Sequence, residues 1–315
     1  MMRVKAARLA AHGQPLSIEE VELPGPGAGE TILEVAYAGV NPVDMYGALG
    51  RVAPDGPLPR TLGGEAAGTV DGRRVLARGY GLGAARDGLW AQAAVVPEAA
   101  LIDVPDGVGM AEAAAMGIAG VTAWRTVTEV AEAGPGDTVV VLGASGGVGS
   151  IIVSLAHGLG ATVIGQTGNA GKRDWIAARG ADHVVVSGAG ELAGQIAGYG
   201  PTVVFDALGG GFTGAAVEAL RPRGRLVLFG TSAGLTGEIP LQQLYRKGLR
   251  VYGYGGLIEP NEALAAALRA ALGALARGEL SVPVDSVLPL ADVNTAFDRL
   301  RSRSVRGEVV LDTSG

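Results

Sequence analysis

Residues 143–150, GASGGVGS, place four glycines within seven positions, between the apolar runs VVVLG and SIIVSLAHGLG. Such a turn presents backbone N–H groups that no side chain obstructs, and a helix beginning there aims the positive end of its dipole forward. Strand, glycine turn and helix in this order can cradle a pyrophosphate. Gly146 and Gly147 would let the backbone approach the phosphates, and Gly149 would let the helix close on the strand. Gly143, Gly146 and Gly149 spell G-x-x-G-x-x-G, a variant of the usual G-x-G-x-x-G. Tight packing without a ligand is the other reading of the turn; the flanking strand and helix favour a dinucleotide.

The next apolar run bears on which dinucleotide. A site for NAD places Asp or Glu about 20 residues beyond the glycine turn, to bind the ribose hydroxyls. Here VIGQTGNAGKR has Gln166 and Thr167 in that place, followed by Lys172 and Arg173. A 2′-phosphate needs cationic donors and is repelled by a carboxylate, so the segment reads as an NADPH site. A solvated helix start is the alternative for Lys172 and Arg173.

These residues need a scaffold. From DTVVVLG onward, strand-like and helix-like runs alternate: ATVIGQT, KRDWIAARG, DHVVV, TVVFDAL, FTGAAVEALRPRG and RLVLFG. The strands are continuous apolar runs, as in a parallel sheet covered by helices on both faces, which predicts a doubly wound α/β domain. His183, in GADHVV, reads as the start of a strand. Before this domain, ETILEVAYAGV (30–40) and RRVLARGYG (73–81) read as strands between Pro- and Gly-rich turns, and the run from Met110 to Gly134 reads as long helices. After about Gly256 a long Ala-rich helix precedes VPVDSVLPL and GEVVLDT, which read as strands returning to the first domain.

Composition excludes several function classes. The net charge of −6 leaves no basic footprint for nucleic acid. With no cysteine, disulfides are impossible, and a zinc site would have to be built from three histidines (His12, His157, His183) and carboxylates. No Asp, Glu, Lys or Arg occurs from Thr138 to Gly171, a stretch long enough to span a bilayer, but its central glycines would break the helix. The first twenty residues lack a long apolar core followed by a cleavage site, so the expectation is a cytoplasmic protein without a membrane partner.

Together, AGVNPVDMYGALG (38–50), LGGEAAGTV (62–70), GASGGVG and PLADVNTAFDRLRSRSVRGEVVL resemble the medium-chain dehydrogenase/reductase superfamily, in its zinc-free quinone oxidoreductase (zeta-crystallin-like) branch. The resemblance covers nearly the whole chain. It implies a GroES-like β domain drawn from both chain ends (1–113 and 256–315) and an inserted Rossmann doubly wound parallel sheet (114–255). Zinc-dependent relatives carry a His where this chain has Gly64, and draw further ligands from cysteines, so no metal is expected. By the same resemblance Asn41 and Tyr46 line the nicotinamide and substrate pocket, where either could orient an acceptor carbonyl or stabilise its oxyanion. A turn before Pro42 and simple ring packing are the alternatives for these two. Thr122, Ser145, Gly146, Gly147, Val148, Gly149, Gly168, Lys172, Gly230, Thr231 and Ser232 fall at cofactor positions, with Leu208 and Gly209 bordering the nicotinamide. Ser187 stands where relatives place an aromatic residue or His near the cofactor phosphate. The segment GTVDGRRVLA is shorter than usual by a hairpin, and a Lys frequent near the carboxyl terminus is Glu308 here.

The expectation is therefore an NADPH-dependent, zinc-independent reductase of quinones or α,β-unsaturated carbonyls, which spread developing charge without a metal. An enoyl-thioester (polyketide-tailoring) reductase and a non-catalytic NADPH-binding protein are the alternatives. RVYGYGG could supply an edge strand, and the resemblance implies a homodimer.

Overall fold

The computed structural model describes residues 2–315. They divide into two units: one takes the chain up to Val121 with Pro260–Arg277 and Val282–Gly315, the other Thr122–Glu259 with Gly278–Ser281.

The second unit holds six parallel strands: Thr138–Val141, Thr162–Thr167, His183–Val186, Val203–Asp206, Arg225–Leu228 and Arg250–Gly253. Across the sheet they lie in the order third, second, first, fourth, fifth, sixth. That is the Rossmann order, and it opens a crevice at the carboxyl ends of the first and fourth strands, where the winding reverses. Helices Gly147–Gly158, Ala189–Ala197 and Gly211–Ala219 follow the first, third and fourth strands. The apolar character of the strands is explained by burial: Val140, Ile164, Val204 and Leu226 pack with Leu192, Ile196 and Val217 in one cluster. Each such side chain contributes about 1.5–3 kcal/mol by leaving water.

In the first unit, strands Val284–Pro289, Glu308–Asp312, Glu30–Val40, Glu65–Val70, Arg73–Arg78 and Leu101–Asp103 lie side by side in that order, and Ala93–Pro97 pairs separately with Glu30–Val40. All these pairings are antiparallel except that of Val284–Pro289 with Glu308–Asp312. Strands from the two ends of the sequence thus complete one sheet, and the mixed α/β class matches the expectation. Trp90 is fully buried, its ring edge-on to Phe297 with centroids 5.6 Å apart, and its indole N–H donates to Gly39 O at 3.0 Å. The strands Glu65–Val70 and Arg73–Arg78 join directly through Asp71 and Gly72, both at positive φ (50° and 77°). Such a two-residue turn suits the twist of a hairpin.

The helical run expected from Met110 is interrupted. Met110–Ala114 is α-helical, and Met116–Gly120 widens into a π-type turn. Gly117 and Gly120 weaken the regular helix there, and a Cβ at Gly117 would press on the Glu65 side chain. Among the described residues no helix is long and apolar enough to cross a membrane.

Candidate functional site

At the carboxyl end of Thr138–Val141 the chain turns through Gly143, at φ 70°, and the helix starting at Gly147 is capped by Gly146 in extended conformation. No side chain caps this helix, so its first-turn N–H groups have no partner from a capping residue. A Cβ on Gly149 would run into Gly143 O, which is why helix and turn can close only on glycine there. Gln166, 1% exposed, braces the corner from the next strand. Its Oε1 accepts from Gly143 N at 3.0 Å, its Nε2 donates to Ser187 O at 2.8 Å, and its backbone carbonyl accepts from Ala144 N at 2.9 Å. The neutral residue in the place of an acid is therefore a structural strut, a role its sequence position did not reveal.

Around this corner, Ser145 is buried, Val148 half-buried and Gly168 exposed. Lys172 is buried at the end of the turn Ala170–Lys172, while Arg173 donates to Val184 O at 2.6 Å. Ser187, at the end of the neighbouring strand, carries a buried hydroxyl with no hydrogen-bond partner among the described residues. Thr122 lies on the helix Val121–Arg125, and its carbonyl accepts from Thr126 Oγ1 at 2.7 Å.

The fourth and fifth strands end in two loops knitted together. Asp206, fully buried, accepts from Leu208 N at 2.8 Å, Gly209 N at 2.9 Å and Thr213 Oγ1 at 2.7 Å. In turn, Ser232 N donates to Ala207 O at 3.2 Å and Ala233 N to Leu208 O at 2.7 Å. A Cβ on Gly230 would crowd Ala207 O, and one on Gly209 would crowd Gly234 O. Leu208, Gly209, Gly230, Thr231 and Ser232 thus share the sheet edge that carries the glycine corner. Asp206, which the sequence reading passed over, organises them; a lone acid ending an apolar strand was the available signal.

A different chemistry occupies the other unit. Asn41, 3% exposed, caps the helix Pro42–Ala48, and its Nδ2 donates to Glu65 Oε1. Glu65 Oε2 accepts from Ile118 N at 2.6 Å. Asp44 accepts from Asn41 N at 2.8 Å and Gly64 N at 3.3 Å. Burial pushes the Asp44 carboxyl up to about 7; burial, and after it the Asp44 charge, push Glu65 up to about 8, against the pull of its donors and of Arg78. Glu308 is buried as well and raised well above the usual range, by burial first and then by the charges of Glu65 and Asp44. Tyr46, two residues after Asp44, is half-buried, and its hydroxyl has no hydrogen-bond partner among the described residues. Asn41 and Tyr46 therefore differ: the amide is committed to a carboxyl, the phenol is not.

A family described as zinc-binding dehydrogenase matches residues 147–273. The donor set does not follow that description, since the chain has no cysteine and, among the described residues, no group of three or more His, Asp or Glu is placed to hold a metal ion. A mycocerosic acid synthase-like polyketide synthase of Mycobacterium tuberculosis is 31% identical over 303 residues, which is 91% of this chain and 14% of the synthase. The chain thus spans a small part of that relative. The synaptic vesicle membrane protein VAT-1 homolog of Mus musculus is 27% identical over 91% of this chain and 77% of its own length. Among solved structures, the quinone oxidoreductase of Thermus thermophilus, described with its NADPH complex, superposes with a TM-score of 0.85 at 29% identity, covering 98% of this chain and 99% of that one.

Proposed function

This chain belongs to the medium-chain dehydrogenase/reductase family and is like its zinc-free quinone oxidoreductases, and on that premise we propose that it is an NADPH-dependent reductase of quinones or α,β-unsaturated carbonyls. The residues present fit the cofactor: an uncapped helix amino terminus on glycines, an unpartnered buried hydroxyl at Ser187, and no carboxylate where a 2′-phosphate would lie. The N–H groups of Gly147, Val148 and Gly149, behind Ser145 and Gly146, would hold the pyrophosphate. Gly168, Lys172, Arg173 and Ser187 would face the adenosine phosphate, with Thr122, Leu208, Gly209 and Gly230–Ser232 toward the nicotinamide. When bound, NADPH supplies a hydride to a conjugated acceptor.

As charge develops on the acceptor oxygen, the Tyr46 hydroxyl donates to it, a role worth about 10²–10³ in rate at comparable sites. Solvent provides the proton that completes the reduction. Asn41, held by Glu65, fixes the start of the helix that carries Tyr46. The observation that carries the cofactor half of this reading is the neutral, buried Gln166 at the strand end, with Lys172 beyond it. Nicotinamide oxidation with NADPH and NADH in parallel, each offered a small quinone and a matched enone, tests it. Faster turnover with NADPH is expected; preference for NADH would sink the cofactor assignment.

The polyketide synthase similarity favours a second reading, reduction of an enoyl thioester. It gains if NADPH binds but neither the quinone nor the enone is reduced, and an enoyl thioester is. For assembly, Arg250–Gly253 is an outermost strand with Val251 exposed, and Leu241, Tyr245, Leu257 and Ile258 are exposed in the same unit. A second copy pairing along this strand would cover such an edge; a monomer in sedimentation would reject the homodimer.

A further inference from the structure

Asp44, Glu65 and Glu308 come from a helix and two strands, and each is at least nine-tenths buried. Donors are divided unequally among them. Glu65 takes Asn41 Nδ2 and Ile118 N, and Asp44 takes Asn41 N and Gly64 N. No donor reaches the Glu308 carboxyl among the described residues, while its backbone N–H donates to Pro283 O at 2.8 Å. Three carboxylates in one buried cluster cannot all ionise without large repulsion. The carboxyl without donors loses least by keeping its proton.

We infer that Glu308, next to the Val309–Val40 pairing and so beside Asn41, is a positioning residue held as a neutral carboxylic acid at the junction that fixes Asn41. The surrounding charges agree. The Arg78 charge pulls on Glu65. The Glu112 carboxylate is used at Gly109 N at 3.1 Å. Asp285, on the neighbouring strand, is paired with Arg299 at 2.7 Å and accepts from Arg306 N at 2.9 Å. Burial, and after it the two facing acids, raise Glu308, and of the three it is the carboxyl with no donor to favour its charged form. Alkaline pH therefore removes it last, leaving three like charges around the Asn41 turn.

The test is a carboxyl-carbon NMR titration of the full chain, labelled at glutamate, for wild type and Glu308→Gln, with urea unfolding at each pH. One resonance, absent from Glu308→Gln, should stay protonated after the other glutamates have ionised. Stability should fall as pH rises above the ordinary carboxylate range and level off as this resonance ionises, and the fall should be smaller in Glu308→Gln. A Glu308 resonance titrating in the ordinary acid range, or an equal fall of stability with pH in the variant, overturns the inference. Should Glu308→Gln fail to fold, the wild-type spectrum alone decides, because the absence of any glutamate protonated well above neutral pH is equally fatal. Only one further arm rests on the reductase reading: the alkaline limb of kcat/KM should move to higher pH in Glu308→Gln. An inactive protein with the expected titration would remove that reading and leave this inference standing; an active one whose limb does not move would remove the positioning role.

Discussion

The glycine corner at residues 143–149 and the carboxyl cluster of Asp44, Glu65 and Glu308 are both polar sites in apolar surroundings, built by opposite means. In the corner the polar groups are backbone N–H groups, and glycine serves by having no side chain to intrude. Its partners are close in sequence, with Gln166 as the one strut from the next strand. The cluster consists of side chains from residues 41, 44, 65 and 308, assembled by antiparallel pairing of strands from both ends of the chain. The corner tolerates no added atom, whereas the cluster tolerates no added charge. Different perturbations should therefore break each.

The largest effect is expected from Asn41→Asp, which replaces the donor to Glu65 with a fourth carboxyl. An uncompensated buried charge costs about 3–5 kcal/mol, to be read as a shift in the urea midpoint, and Asn41→Ala should lose less. Next comes pH. The folded protein keeps protons on Asp44 and Glu65 that the unfolded chain releases in the ordinary carboxylate range. Stability from this source is complete below that range, falls as pH rises through about 7 and about 8, and is flat beyond the last ionisation. Each pH unit separating a folded from an unfolded titration is worth about 1.4 kcal/mol. Stability that rises between pH 5 and 8 in urea titrations would contradict the cluster's assignment.

At the corner, Gly149→Ala should cost about 1–3 kcal/mol by overpacking and weaken NADPH binding in calorimetry, with the pH dependence unchanged. Lys172→Ala should weaken NADPH about tenfold, in line with a charge-assisted contact of roughly 1.5 kcal/mol, and leave NADH alone. Equal losses for both cofactors would place Lys172 outside the 2′-phosphate contact. The smallest effect on stability, within about 0.5 kcal/mol, is expected of Val251→Asp on the exposed edge. Its readout is sedimentation, where the proposed homodimer should dissociate.

What could be read from the chain divides along the same line. Strand, turn and helix around Gly143–Gly149 were legible because apolar runs and glycine spacing are local properties. Asp206 and Gln166 were not assigned their roles, since a hydrogen bond from a strand end to a neighbouring loop depends on which strands become neighbours. The run after Met110 read as regular helix, yet it widens at Met116–Gly120, and that turn delivers Ile118 N to Glu65.

By itself, then, the sequence determined that this chain builds a doubly wound sheet with a glycine corner lacking an acid at the second strand, and that it has no cysteine to bind zinc. Periodicity and backbone freedom act over a few residues, so these features are fixed before any long-range contact. Only the tertiary structure decided that Asn41 is committed to Glu65 while the Tyr46 hydroxyl is not, and that Glu308 faces two other acids. Burial raises the cost of charge only after strands some 270 residues apart have paired, as Val40 and Val309 do beside this cluster.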